Sequence, residues 1–400
     1  MNDHPHLPQP LRRSLLAAGL GLPFTLPQPA RAAAAGERIL VVFEMSGGND
    51  GLNTVVPYAD DLYYRLRPNL AIRPEKLRKL DDRHGLNPGL AGLERLYKDG
   101  RLAIVHGCGY EQPSFSHFAS MAYWHTAAPN SGEQTGWIGR LAEAMQPRAE
   151  PGFVVNVGAS QSLAVRSPKH VPVVFDDPER FVRQALFEER ALIDRVPPVA
   201  RNEANASRRY LHEVAASARD ASQRVRDACA RYRTPVDYGL LPLDLQKVAA
   251  LIDARLPARL YYVAYRNNAF DTHVHQAELH QRLLTYVSDA VSGFMRDMER
   301  IGRADDVVLM AFSEFGRRVS ENANLGTDHG TAGPMFVAGK PVRGGQYGEV
   351  VSLAGRDTDD NLRHTTDFRR VYATLAQGWL GTNDDAAVLR GRFEPFKLFG

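Results

Sequence analysis

The sequence predicts an α/β fold in which a mostly parallel central sheet is flanked by helices and carries a helical insertion. Several short apolar runs lack the two-residue alternation of half-exposed strands, as strands covered on both faces do. Stretches with helical spacing separate these runs. The first run ends in a glycine-rich turn, the usual opening of an α/β sheet.

Residues 38–44 (Arg-Ile-Leu-Val-Val-Phe-Glu) are β-branched and aromatic, and they lead into Ser46-Gly47-Gly48-Asn49-Asp50-Gly51. This reads as a buried strand whose C-terminal end meets a sharp turn, the edge where open parallel sheets gather ligands. Further strands are expected at Leu102–His106, Phe153–Val157, Val171–Phe175, Leu260–Ala264, Val307–Phe312 and Pro334–Val337. Short helices are expected at Leu90–Lys98 and Trp137–Met145. The segment from Pro178 to about Ala230 is rich in Ala, Arg and Glu, and Leu245–Leu256 follows with Asp244 as its N-cap. Together these form the expected insertion, about 178–256. Residues 276–300 read as one long amphipathic helix with Leu279, Leu283, Leu284, Val287, Val291, Phe294 and Met298 on one face. A last helix is expected over 366–380, capped by Thr366.

At 400 residues, 44% hydrophobic and 24% charged, the chain has ordinary globular composition and can bury a large core. A net charge of +3, evenly spread, argues against a nucleic-acid partner or an anionic surface. Two cysteines, Cys108 and Cys229, cannot build a disulfide framework; they pair once or stay as buried thiols. Arg12 and Arg13 precede a modestly apolar run, Leu15 to Leu26, that is too short to span a bilayer. It ends in Ala30-Arg31-Ala32, a pattern that signal peptidase accepts. Residues 1–32 are therefore expected to be a twin-arginine-type export signal, with the twin-arginine translocase as a transient partner. The remainder, 33–400, is expected to be a single domain, periplasmic or secreted, with no permanent membrane span. The absence of a cysteine cluster and of a dinucleotide fingerprint argues against a redox protein.

Four clusters carry chemistry. In the first turn, Asp50 offers a carboxylate at the sheet edge or an ordinary Asx turn. In Pro113-Ser114-Phe115-Ser116-His117-Phe118, Ser114 or Ser116 is either a helix cap or a hydroxyl nucleophile in the field of a helix N-terminus. In Phe270-Asp271-Thr272-His273-Val274-His275, a carboxylate and two imidazoles fall within five residues, a plausible divalent-metal set. The fourth is Ser313-Glu314-Phe315-Gly316-Arg317 with Gly326-Thr327-Asp328-His329-Gly330. Its carboxylates reach the same edge, and Arg317 either binds an oxyanion or pairs with Glu321.

These strings, with Gly-Gly-Asn-Asp-Gly-Leu-Asn, Ser-His-Phe and Thr-Thr-Asp-Phe-Arg-Arg, resemble bacterial proteins of domain-of-unknown-function family 1501. The resemblance runs from about Ile39 to Leu380 and implies an alkaline phosphatase-like fold, shared by sulfatases and phosphoglycerate mutases. Carried over by residue, that pattern implies Asp50, Asp271, His273 or His275, Glu314, Asp328 and His329 as ligands of a divalent metal (zinc, manganese or calcium). It implies Ser116 or Ser114 as nucleophile and Arg317 as an anchor for developing charge. The sequence departs from the pattern at Phe315, which stands where a ligand histidine is expected and cannot bind metal. The site then holds one metal, or a neighbour such as His117 substitutes, or activity is lost. Two functions remain open: a metal-dependent hydrolase of small anionic phosphate or sulfate esters, and a non-catalytic binding or assembly protein on the same scaffold.

Overall fold

The apolar residues of the first strand, Ile39–Met45 (β1), divide between two cores, which is why the run shows no alternation. Ile39, Val41, Phe43 and Met45 point into one core, and Leu40 and Val42 into the other. The computed structural model describes residues 37–180 and 221–400. The expected export signal at 1–32 and the middle of the expected insertion lie outside the described residues. Ala33–Gly400 cluster as one unit.

The other strands of the main sheet are Leu102–Gly109 (β2), Val154–Val157 (β3), Val173–Phe175 (β4), Leu260–Tyr265 (β5), Val307–Phe312 (β6), Gly333–Ala338 (β7), Gly345–Tyr347 (β8) and Thr366–Asp367 (β9). Their order is β8-β2-β7-β6-β1-β5-β3-β4, with β9 also paired to β2. All pairings are parallel except those of β7, which runs opposite to β2 and β6. A small antiparallel sheet joins Val55–Val56, Gly85–Leu86 and Arg78–Lys79.

The helices are Asp61–Leu66 (α1), Ala91–Lys98 (α2), His117–Thr126 (α3), Trp137–Met145 (α4), Leu245–Asp253 (α5), Gln276–Arg300 (α6), Arg369–Ala373 (α7) and Asp385–Leu389 (α8). One face of the sheet packs against α2, α5 and α6, and the other against α3, α4 and α7. Burying the inner face of α6 (Leu283, Leu284, Val287, Val291, Phe294, Met298) stabilises by about 1.5–3 kcal/mol per side chain. Leu279, expected on that face, is instead 44% exposed. Within the described part of the expected insertion, residues 221–231 are helical, and Val225, Ala228, Tyr232 and Tyr238 join the α6 core.

Two capping expectations fail for local reasons. Asp244 sits at the start of α5 in a left-handed conformation, and its carboxylate binds Lys247 and Arg266 rather than the helix end. Thr366 belongs to β9, so the helix expected over 366–380 starts only at Arg369 and continues as a π-helical turn over Thr374–Trp379. Cys108 is buried and Cys229 half-buried, and both are free thiols.

Candidate metal centre

Topology brings five loops to one edge of the sheet. Strands β1, β2, β5 and β6 run the same way, so the loops leaving them (from Ser46, Tyr110, Arg266 and Ser313) emerge together. Because β7 is antiparallel, the loop entering it, Gly326–Ala332, arrives at that same edge. An imidazole on α3, a carboxylate after β5 and an imidazole before β7 thereby meet.

His117, Asp271 and His329 each offer a ligand atom within 4.8 Å of the other two, the one such three-residue group among the described residues. Asp271 Oδ1 lies 3.0 Å from His329 Nε2 and 2.9 Å from His273 Nε2, and Asp271 Oδ2 lies 3.4 Å from His117 Nε2. His273 Nε2 and His329 Nε2 are 3.0 Å apart. The other nitrogen of each ring fixes its orientation. His329 Nδ1 is 2.7 Å from the Phe115 carbonyl, which can only accept, so Nδ1 carries a hydrogen and Nε2 is the atom turned toward Asp271. His117 Nδ1 donates likewise to Glu314 Oε1 at 2.8 Å, and His273 Nδ1 faces Asp328 Oδ1 at 3.3 Å. His117 Nε2 is buried and has no hydrogen-bond partner.

With Nδ1 engaged behind each ring, three Nε2 atoms converge on one carboxylate, a donor set that a cation can share. A tetrahedral ion with bonds of about 2 Å holds its ligands roughly 3.3 Å apart, close to the separations seen. Imidazoles held from behind by carboxylate or carbonyl are the usual supporting shell of such a centre. The residues present therefore fit a divalent metal.

The support is buried and hydrogen-bonded. Glu314 is fully buried and accepts from the Gly47 amide at 2.9 and 3.1 Å as well as from His117. Its hydrogen bond raises the proton affinity of His117 above the ordinary histidine value, against the opposing effect of burial. Arg317 is equally buried and donates to the carbonyls of Gly47, Gly48, Phe270 and Thr327 and to Asp271 Oδ1. Burial alone would raise the Asp271 pKa, but hydrogen bonds from Arg317 and His329 outweigh it and bring it down to about 2. Burial lowers the pKa of His329. The turn after β1 comes this close only because it is glycine: a Cβ on Gly47 would lie 2.5 Å from the Asp271 amide, and one on Gly48 2.2 Å from the Phe315 ring. Both residues also hold positive φ. Phe315 packs its ring 5.0 Å from that of His117 and 4.7 Å from that of His329.

The expected site residues thus take different places. Asp271, His273 and His329 come together. Glu314 and Asp328 lie behind the imidazoles and orient them. Asp50 stands apart, fully buried in an ion pair with Arg67 at 2.6 Å. His275 is an exposed residue at the start of α6, its amide bonded to the Asn324 carbonyl. Arg317 cannot serve a substrate oxyanion, because its guanidinium is spent on carbonyls and Asp271. Ser116 occupies the N-cap of α3, exposed and without a capping bond, while Ser114 Oγ accepts from the Ser116 amide at 3.2 Å. His117 is the donor that residue patterning undervalues; its signal was the Ser-His-Phe string beside a helix start.

No curated protein matches the chain at significant similarity. Among solved structures it is similar to the zinc complex of the C-terminal periplasmic domain of EcEptC from Escherichia coli. That match has 11% identity, covers 90% of this chain and 87% of that one, and has a TM-score of 0.41. It is also similar to PsFucS1 sulfatase from Pseudoalteromonas sp. (10% identity, 88% and 69% covered, TM-score 0.38). A third is a protein in the alkaline phosphatase superfamily from Vibrio parahaemolyticus (10%, 78% and 62%, TM-score 0.35). The sequence model of one family matches residues 37–393, and with it the motifs that build this centre, so the chain belongs to the proteins of unknown function grouped as DUF1501.

Proposed function

We propose that this protein is an exported, metal-dependent hydrolase of phosphate or sulfate esters, acting in the periplasm or outside the cell. One observation carries the reading: the Nε2 atoms of His117, His273 and His329 face Asp271, and each ring is fixed from behind. His117, Asp271 and His329 would hold the ion, with His273 beside them. Two imidazoles and one carboxylate, with a third imidazole beside them, suit zinc or manganese better than calcium, which takes six to eight oxygens. Bound there, the metal would supply Lewis-acid polarisation of an ester oxygen.

The chain's own groups supply the rest. The Ser116 hydroxyl is exposed, uncommitted and next in sequence to His117, so it is the nucleophile of choice for a phosphorus or sulfur centre. The free amides at the start of the ten-residue α3 favour an anionic group at that point. His273, partly exposed and backed by Asp328, is placed to exchange a proton with substrate or leaving group. Arg317 acts indirectly, holding Asp271 ionised and in place.

A non-catalytic binding protein is the second reading, favoured by Phe315, which leaves donors for one ion only. The deciding experiment is metal content of the exported protein purified without chelator, followed by assay on p-nitrophenyl phosphate and sulfate. About one equivalent of metal, lost in Asp271→Ala, with turnover abolished in a metal-replete Ser116→Ala variant, supports the hydrolase. A folded protein that takes up no metal sinks it. Retained turnover in Ser116→Ala removes Ser116 as the nucleophile, and no turnover of either ester by the metal-replete wild type favours the binding protein.

A further inference from the structure

We propose that Gln276 is a positioning residue for the metal centre, joining its two ligand-bearing loops from beneath with Asp50 as its anchor. The inference rests on the metal reading above. Gln276 is the first residue of α6 and is fully buried. Its carboxamide oxygen accepts from the hydroxyls of Thr272 at 3.0 Å and Thr327 at 2.5 Å. Thr272 lies between Asp271 and His273; Thr327 lies two residues before His329. The side chain therefore ties the loop after β5 to the loop before β7 at the points where each presents its donors.

The orientation of the amide is forced. Its nitrogen meets Asp50 Oδ2 at 2.5 Å, a carboxylate that only accepts, and its oxygen meets two hydroxyls that donate into it. Asp50 is in turn fixed by Arg67, which also donates to the Val319 and Arg318 carbonyls and to Asn53. The relay runs from Arg67 through Asp50 and Gln276 to Thr272 and Thr327, and every atom named is inside the protein. Arg317 grips the same two loops through the carbonyls of Phe270 and Thr327, so two separate clamps hold the donors. A metal centre needs its ligands placed to about 0.5 Å, and one shared oxygen beneath two loops sets such a spacing. The carboxylate of Asp50 thus acts on the centre at one remove.

The test is the equilibrium affinity for zinc alone, by chelator competition on the full chain, with thermal unfolding of the zinc-free protein in parallel. Thr327→Val and Gln276→Met are each expected to weaken zinc binding about tenfold, the lower end for supporting residues. Thr327→Ser, which keeps the hydroxyl, should bind as the wild type does. The double variant should be no weaker than the weaker-binding single, because both break one link. Should Gln276→Met fail to fold, the Thr327→Val and Thr327→Ser pair still decides. Zinc affinity unchanged in Thr327→Val, or a loss confined to the stability of the zinc-free protein, overturns the inference. The metal reading survives that result if His329→Ala has lost zinc. A wild-type chain that binds no zinc overturns both.

Discussion

A carboxylate beside the proposed metal centre would either bind the ion or steady a residue that does, and the hydrogen bonds of Glu314 fit the second. Its oxygens are taken by the Gly47 amide and His117 Nδ1, which sets the tautomer and aim of the imidazole. Glu314→Gln is expected to weaken zinc binding about 10–100-fold, whereas His117→Ala removes a donor outright; chelator competition separates the two. Arg317 is the other residue whose role sequence spacing hid. Replacing it by Met leaves the Gly47, Gly48, Phe270 and Thr327 carbonyls without their buried donor. The expected cost is about 3–5 kcal/mol of stability, read by urea unfolding of the zinc-free chain. Were Arg317 an oxyanion anchor, the same change would cut turnover and leave stability alone. Asp50 was misplaced for a related reason: its partner Arg67 lies seventeen residues on, and no periodicity announces an ion pair across a turn. The residue types of the centre were legible in the sequence, since Asp271, His273 and His329 sit in short dense strings. Which side chain stands in front and which behind depends on distances of an ångström or two, and spacing does not encode those.

Among elements, the legible ones have long or two-sided patterns. Strand β1 reads as apolar but for Glu44 because both faces are covered, and α6 reads as amphipathic because its 25 residues give the period many repeats. Strands β8 and β9, of three and two residues, offer no pattern at all. The antiparallel run of β7 is equally silent in the sequence, although it delivers His329 to the centre. Helix α2 is held to α6 by a contact that sequence shows only as a glycine. The Ser288 hydroxyl accepts from the Gly92 and Leu93 amides at 2.8 and 3.1 Å, capping α2 from a neighbouring helix. A Cβ on Gly92 would lie 2.5 Å from the Ser288 carbonyl. Gly92→Ala should therefore destabilise by about 1–3 kcal/mol through overpacking, despite a helix-propensity gain near ~1 kcal/mol. Ser288→Ala should cost about 1 kcal/mol through the lost cap. Urea midpoints check both; a more stable Gly92→Ala protein would show that the two helices can separate without cost.

For the whole molecule, the polar layer under the centre makes a statement about pH. His280 is fully buried, with its Nε2 2.9 Å from Asn49 Oδ1. Burial lowers its pKa from 6.5 to about 4, with Asp50 pulling the other way and Arg317 and Arg67 adding to the drop. The unfolded chain then takes up this proton first as the solution is acidified. The stability His280 contributes is complete above pH 6.5 and is lost as pH falls through the folded value near 4, at most ~3 kcal/mol over the window. Asp50 adds nothing in that window, because its pKa is held below 3.8 by Arg67 despite burial. Other histidines do titrate there: His106 and His329 are lowered and add to the acid loss, while His117 is raised and opposes it. The total slope mixes these signs, so the useful quantity is the difference between the wild type and His280→Gln, which keeps a donor for Asn49 but cannot titrate. Zinc-free urea unfolding at steps from pH 7 to 4 should show the two curves parallel at the top. They should converge as the wild type loses its excess, and curves that stay parallel to pH 4 would mean that His280 is protonated with no penalty inside the fold.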